Sequence, residues 1–349
     1  MKQNKHINRK IVLDLMPNGI PKKENFQMIE EPVPKIKDGQ ILVRNIYISL
    51  DPYIRGRMMD SLPIGPYQIN EPLGGETVSV VEESKNENFQ KGDLVEGNFG
   101  LQDWAVCDSW AIMKLQGPEL KHPTLALGLM GLPGFSAFMG LVDIGNPQPR
   151  ETVVVGACTG AVGSVVGQIA ILKGAHVVGI AGTDEKCKYA VETLKFDKCL
   201  NRHASDFKQQ LKEACPHGID IYFENVGGKI FEAVIPLLNQ RARVPICGLM
   251  SQSNSETPLS IDVSLVEFQN LILAKRIRVQ GFIIYQDYFT RYSDFKKGMC
   301  EWVEHDKFTF KEDIVKGLEN SADAFIGLFE GKNFGKLIIQ AGEIDQEFQ

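Results

Sequence analysis

The run VVVGACTGAVGSVVG, residues 153–167, puts Gly156, Gly160 and Gly163 directly after an apolar β-branched stretch and at the head of an amphipathic one. Glycine allows a tight turn and a close backbone approach to a pyrophosphate, and the free N–H groups of a following helix offer positive potential to the phosphates. A lone glycine spacing is a weak signal. Its position at the opening of an alternating strand–helix block makes it a dinucleotide-binding turn.

The second strand of such a block selects between NAD and NADP. An NAD-binding chain ends it with an acid for the ribose 2′-hydroxyl. Here HVVGIAG ends in Ala181, Gly182 and Thr183, and the first acid, Asp184, falls in the first turn of the next helix. Lys186, Lys188 and Arg202 follow. A small strand tip flanked by cations suits a 2′-phosphate, which predicts NADPH as the cofactor.

These residues need elements to hold them. From residue 151 strands and helices alternate: TVVVGA, then AVGSVVGQIAILKG, HVVGIAG, DEKCKYAVETLKF, KCLN, DFKQQLKEAC, IDIYFENVGG, KIFEAVIPLL, RARVPICGL and finally the strand IRVQGFII. That order demands a parallel sheet covered by helices on both faces. The first hundred residues are instead short β-branched runs broken by Pro32, Pro34, Pro52, Pro63, Pro66 and Pro72, an antiparallel β pattern. The stretch TLALGLMGLPGFSAFMGLVDIG reads as helical, broken at Leu132-Pro133-Gly134, and after Trp302 come the helix SADAFIGLFEG and the strand KLIIQA.

Composition excludes other classes. The 349 residues carry a net charge of −6, so no basic footprint points to nucleic acid or anionic lipid. Apolar runs are too short to span a bilayer, and the basic N-terminus lacks a signal core, so a cytoplasmic protein is expected. Seven dispersed cysteines and six dispersed histidines show neither Cys-x-x-Cys nor His-Glu-x-x-His, which predicts reduced thiols and no metal site.

Taken in order, the stretches NRKIVL, EEPVP, ISLDPYIRGRM, MGLPGFSAFMGL, GACTGAVGSVVGQIA, GTDEKC, GIDIYFENVGGKIFEAV, QGFIIYQDY and GLFEGKNFGKLII resemble the zinc-independent medium-chain dehydrogenases/reductases over about residues 8–340. Within that family they are similar to the bacterial NADPH-dependent curcumin reductases and, more distantly, to the prostaglandin (alkenal/one) reductases. The resemblance implies an α/β fold: a GroES-like β-rich catalytic domain from residues 1–124 and 310–349, and a Rossmann NADP-binding domain from 125–309. It implies that Gly160, Ala161, Val162 and Gly163 lie against the pyrophosphate, that Lys186 and Arg202 serve the 2′-phosphate, and that Asn225, Cys247, Gly248, Phe282, Ile283, Ile284 and Asn333 line the nicotinamide half. It also implies a homodimer joined through sheet edges. Departures fall where substrate would sit: Ser253-Asn254 replaces a Tyr-Asn pair, and the loop 60–73 is a few residues short.

The stretch EPLGGETVSV has Gly75 where zinc alcohol dehydrogenases carry a histidine ligand, and ISLDPY replaces their cysteine. The chemistry left is reduction of an activated double bond. Hydride adds to the β-carbon of an α,β-unsaturated ketone or aldehyde, hydrogen-bond donors stabilise the enolate oxygen, and a proton reaches the α-carbon. Tyrosine is the natural donor at neutral pH. Tyr67, with a counterpart of this role in relatives, is the first candidate; Tyr53 and Tyr285 are the others. A quinone reductase of the same superfamily and a non-catalytic NADPH-binding redox sensor are the competing readings.

Overall fold

The structure, a computed structural model, describes residues 7–59, 65–108, 112–254 and 263–344. The chain divides into two compact units, Met1–Gly128 with Glu312–Gln349, and Leu129–Lys311. The strands, in chain order, are β1 (Ile7–Leu13), β2 (Phe26–Pro32), β3 (Gln40–Ser49), β4 (Thr77–Ser84), β5 (Leu94–Gly97), β6 (Trp104–Asp108), β7 (Met113–Lys114), β8 (Thr152–Gly156), β9 (His176–Ala181), β10 (Lys198–Asn201), β11 (Ile219–Phe223), β12 (Leu238–Ile246), β13 (Arg278–Gly281), β14 (Glu312–Lys316) and β15 (Lys336–Gln340).

The first unit is β-rich. Its main sheet runs β14-β15-β3-β4-β5-β7, with β6 also on β3, and β1 pairs separately with β2. All of these pairings are antiparallel except β14 with β15. Ile48, Leu50, Ile54 and Tyr67 pack with Leu318, Phe325, Leu337 and Ile339, so the two chain ends share one core.

The second unit is doubly wound. Its sheet order is β10-β9-β8-β11-β12-β13, and every pairing is parallel. Helices cover both faces, so a central strand meets no water and every residue of TVVVG is buried. The order reverses at β8, which makes the crevice beside its C-terminal end a topological switch point. The helix Gly163–Leu172 packs tightly against the segment that leads into β10 because Gly167 has no side chain: a Cβ there would overlap the ring of buried Phe196.

The fold class agrees with the resemblance, while local structure differs in four places. Leu132-Pro133-Gly134 does not break a helix; it opens the helix Leu132–Phe138, with proline in the first turn, where its missing N–H costs nothing. The last parallel strand stops at Gly281, so Phe282 and Ile283 lie in a turn, and Ile284 and Tyr285 start the helix Ile284–Tyr288 rather than ending a strand. Among the described residues β13 pairs on one side only, and the Asp287 carboxylate accepts the Ile283 N–H at 2.7 Å, which turns the chain into the helix. The helix Tyr53–Met58 and strand β14 were not legible in the sequence. The core of the shortened loop, residues 60–64, lies outside the described residues.

Replacing Gly167 with alanine should overpack the contact with Phe196 and lower stability by about 1–3 kcal/mol, more than the helix-propensity gain of alanine returns. Thermal unfolding of G167A reads this, and an unchanged or raised midpoint would contradict the close contact.

Candidate active site

In the doubly wound unit every nominated cofactor residue follows the C-terminal end of a parallel strand. Gly160–Gly163 follow β8, Lys186 follows β9, Arg202 follows β10, Asn225 follows β11, Cys247-Gly248 follow β12, and Phe282–Ile284 follow β13. The turn after β8 closes on the Ala157 carbonyl, which accepts the Gly160 N–H at 3.0 Å. A Cβ at Gly163 would lie 2.4 Å from that same oxygen, so the helix can begin here only with glycine. Asn225 spans the switch point, its Nδ2 donating to the Gly156 carbonyl at 2.9 Å.

The tip of β9 carries no acid for a ribose hydroxyl. Asp184 accepts from Asn201 Nδ2 at 2.7 Å and so is engaged toward β10. Thr183 caps the helix Asp184–Glu192, its Oγ1 accepting the Lys186 N–H at 3.2 Å. The Arg202 guanidinium lies 3.7 to 3.8 Å from the point where a Gly182 side chain would begin, and its Nε donates to His203 Nε2 at 3.1 Å. A cation over a bare strand tip fits a 2′-phosphate.

One residue beneath this site was missed by sequence reasoning. Glu224 is 1% exposed, and its Oε1 accepts from the Tyr222 hydroxyl at 3.0 Å, the Val226 N–H at 2.7 Å and the Gly227 N–H at 2.8 Å. Its main-chain carbonyl accepts the N–H groups of Cys247 and Gly248. Glu224 thereby ties together the turns that carry Asn225 and Cys247-Gly248. Burial raises its carboxyl above the ordinary range. Cys247 is likewise pushed up, to about 12, by burial, which makes it a neutral packing thiol. Phe282 and Ile284 are buried, whereas Tyr285 is 37% exposed and sets its ring edge-on to Phe289 and Tyr292.

In the β-rich unit three consecutive residues, 74–76, lie among the candidate tyrosines. At Gly74 a Cβ would fall 2.8 Å from the Tyr67 hydroxyl, and at Gly75 one would fall 2.9 Å from the Ser49 carbonyl. A histidine at 75 has no room without moving backbone. Glu76 faces the Tyr53 hydroxyl, with its two oxygens 3.3 and 3.5 Å away. The structure thus gathers Tyr53 and Tyr67 around residues 74–76, while Tyr285 belongs to the other unit. Tyr67 is buried, its hydroxyl finds no hydrogen-bond partner among the described residues, and the Arg57 guanidinium lies 3.9 Å over its ring. Burial pushes its pKa to about 12 against the opposing pull of Arg57, so it stays a donor. Asn333, also in this unit, donates from Nδ2 to the Gly335 carbonyl at 2.9 Å.

Behind this group sits an ion pair the sequence did not disclose. Lys336, 4% exposed, donates to Asp51 Oδ1 at 2.7 Å and to the Leu50 carbonyl at 3.2 Å, and Ser49 Oγ bonds the other Asp51 oxygen. A lone charge abutting an apolar strand, as in ISLDP and KLII, was the available signal. Among the described residues no group of three or more His, Cys, Asp or Glu side chains is placed to hold a metal ion.

A doubly wound sheet with a glycine turn at its switch point, beside a β-rich unit built from both chain ends, is the architecture of a medium-chain nucleotide-dependent oxidoreductase. Two family models match, the N-terminal domain of oxidoreductase over residues 9–115 and zinc-binding dehydrogenase over 161–305. The NADPH-dependent curcumin reductase of Escherichia coli is 50% identical over 99% of this chain and 100% of its own length. Prostaglandin reductase 1 of Bos taurus is 37% identical over 93% of this chain and 96% of its own. A crystal structure of CurA from Vibrio vulnificus in complex with NADPH superposes with a TM-score of 0.92 at 48% identity, covering 96% of this chain and 99% of that one. The chain belongs to the medium-chain dehydrogenase/reductase family, in the company of the curcumin and prostaglandin reductases.

Truncation of Lys336 to alanine should leave Asp51 buried and unpaired and destabilise the chain by about 3–5 kcal/mol. Chemical denaturation of K336A beside the double variant D51N/K336M checks this. Equal losses in the two would mean that the buried charge is not the cause.

Proposed function

We propose that this chain is an NADPH-dependent reductase of the C=C bond of α,β-unsaturated ketones and aldehydes, working without a metal ion. The reading is supported in each unit by itself: in one by a cation-covered strand tip after β9, in the other by two tyrosines gathered on a glycine turn that leaves no space for a ligand side chain. The names of the relatives, curcumin reductase, prostaglandin reductase and 2-alkenal reductase, point the same way.

When bound, NADPH supplies the hydride that adds to the β-carbon of the enone. Gly160, Ala161, Val162 and Gly163 present backbone to its pyrophosphate, and Lys186 and Arg202 bind its 2′-phosphate through charge. Asn225, Cys247, Gly248, Phe282, Ile283, Ile284 and Asn333 orient the nicotinamide end. Tyr67 donates a hydrogen bond to the oxygen on which charge develops. Its burial keeps that hydroxyl protonated, and so a donor, at neutral pH. Tyr285 shapes the wall near Ile284.

A second copy of the chain fits the outer edge of β13. That strand lacks a partner on one side among the described residues, and Leu265, Val266 and Leu273 of the adjacent segment are 71%, 64% and 78% exposed. Edge pairing would cover both, and sedimentation of the purified chain reads the dimer directly.

The test of the reading is product analysis. Incubated with NADPH and a panel of enones and quinones, the protein should yield saturated ketones while NADPH is oxidised. Hydroquinone as the only product would favour a quinone reductase, and no NADPH oxidation across the panel would favour a binding protein. Replacing Arg202 with alanine should raise KM for NADPH about tenfold, a loss of about 1.4 kcal/mol, with kcat nearly unchanged. A uniform effect on NADH and NADPH would contradict the 2′-phosphate assignment. For Tyr67→Phe the expectation is the converse: kcat falls about 10- to 100-fold while KM for NADPH holds. Unaltered turnover in that variant would remove Tyr67 from the role.

A further inference from the structure

We propose that Glu76 and Tyr53 form the proton relay that completes the reduction, with Tyr53 handing its proton to the α-carbon and Glu76 restoring it. The inference rests on the enone-reductase reading and adds to it a residue, Glu76, and a division of labour between the two tyrosines.

The geometry begins with hydrogen bonds that are longer than usual. Tyr53 Oη lies 3.3 and 3.5 Å from the two Glu76 oxygens, against roughly 2.7–2.8 Å for a committed O–H···O bond. The hydroxyl is within reach of the carboxyl without being locked to it. Tyr53 opens the helix Tyr53–Met58 and is half-buried, whereas Tyr67 is buried down to its hydroxyl, so Tyr53 is the more accessible of the two phenols.

Charge counting then singles out Glu76. The groups that face it are Asp51 from the end of β3, Lys336 from β15, Tyr53 from its helix, and Tyr67 with Arg57 above it. Lys336 is the cation of this buried cluster, and Asp51 already takes its charge at 2.7 Å, with Ser49 satisfying the other Asp51 oxygen. Glu312, held by Thr124 Oγ1 at 3.0 Å, also draws on the field of Lys336. Among the described residues Glu76 makes no ion pair, so it stands as a surplus acid beside the Asp51–Lys336 pair. Burial first, and the neighbouring Asp51 charge second, raise its carboxyl to about 7, where it can both hold and release a proton at neutral pH.

The step balances. After hydride addition the enolate α-carbon forms a C–H bond as the Tyr53 O–H bond breaks. The tyrosinate takes the proton of the Glu76 carboxyl, and the resulting carboxylate is reprotonated from water. One solvent proton is consumed per turnover, and no electrons move beyond the hydride.

The sign of the pH dependence follows. The competent form has Glu76 protonated, so kcat should be full below about 7 and decline as pH rises through it. Two measurements test this on the intact protein. The first needs no substrate: pH-difference infrared spectroscopy of the free protein should show a carboxyl band that titrates near neutrality, persists in Tyr53→Phe and vanishes in Glu76→Gln. The second is the pH profile of kcat with an enone. Glu76→Gln should lower kcat about 10- to 100-fold and flatten the alkaline decline, Tyr53→Phe should lower kcat comparably, and KM for NADPH should stay within about twofold in both. The relay is overturned if the neutral carboxyl titration survives in Glu76→Gln, or if that variant loses turnover yet keeps the alkaline decline, as a purely structural role would give. Wild-type turnover with no effect of either substitution removes the relay alone. Absence of any enone turnover in the wild type removes the parent reading together with the relay, even where the infrared band titrates as expected.

Discussion

The nucleotide unit depends on a steric exclusion. One carbonyl oxygen, that of Ala157, occupies the space where residue 163 would carry its Cβ, at 2.4 Å. Because that position is glycine, a strand can turn into a helix within a few residues at the switch point of the sheet. Each neighbouring strand then delivers its own turn to the same end, and Glu224 braces two of those turns with its carboxylate and its carbonyl. On the proposed reading, the choice between cofactors falls to side chains beside β9, Arg202 and Lys186.

The β-rich unit uses the same economy differently. Gly74 and Gly75 are pressed against the Tyr67 hydroxyl and the Ser49 carbonyl, and the next residue, Glu76, is the first with a side chain to aim. A turn that in metal-dependent relatives presents a ligand here presents a carboxylate to a phenol.

Much of this was readable from the sequence, for identifiable reasons. Central parallel strands are buried on both faces, so TVVVG and HVVGIA stand out as apolar runs, and the loops that follow them are where ligand residues must lie. The edge strand β13 was drawn too long because a strand with one neighbour ends where a side chain, here Asp287, outbids the ladder for a backbone N–H. The helix Tyr53–Met58 spans six residues, too few for a helical period to show. The burial of Glu224 and Asp51, and the half-burial of Glu76, were hidden for a different reason. Whether an acid is buried depends on partners that the fold supplies, and the partner of Asp51 is 285 residues away in the chain.

That separation bears on biosynthesis. The doubly wound unit is a continuous stretch and can fold once residue 311 has left the ribosome, whereas β3 waits for β15 to fill the gap beside it. Until Lys336 emerges, Asp51 has no counter-ion and the apolar flank of β3 has no cover. A nascent or prematurely terminated chain therefore displays a finished nucleotide-binding half beside an open sheet edge, a form that chaperones and proteases can tell apart from the mature enzyme.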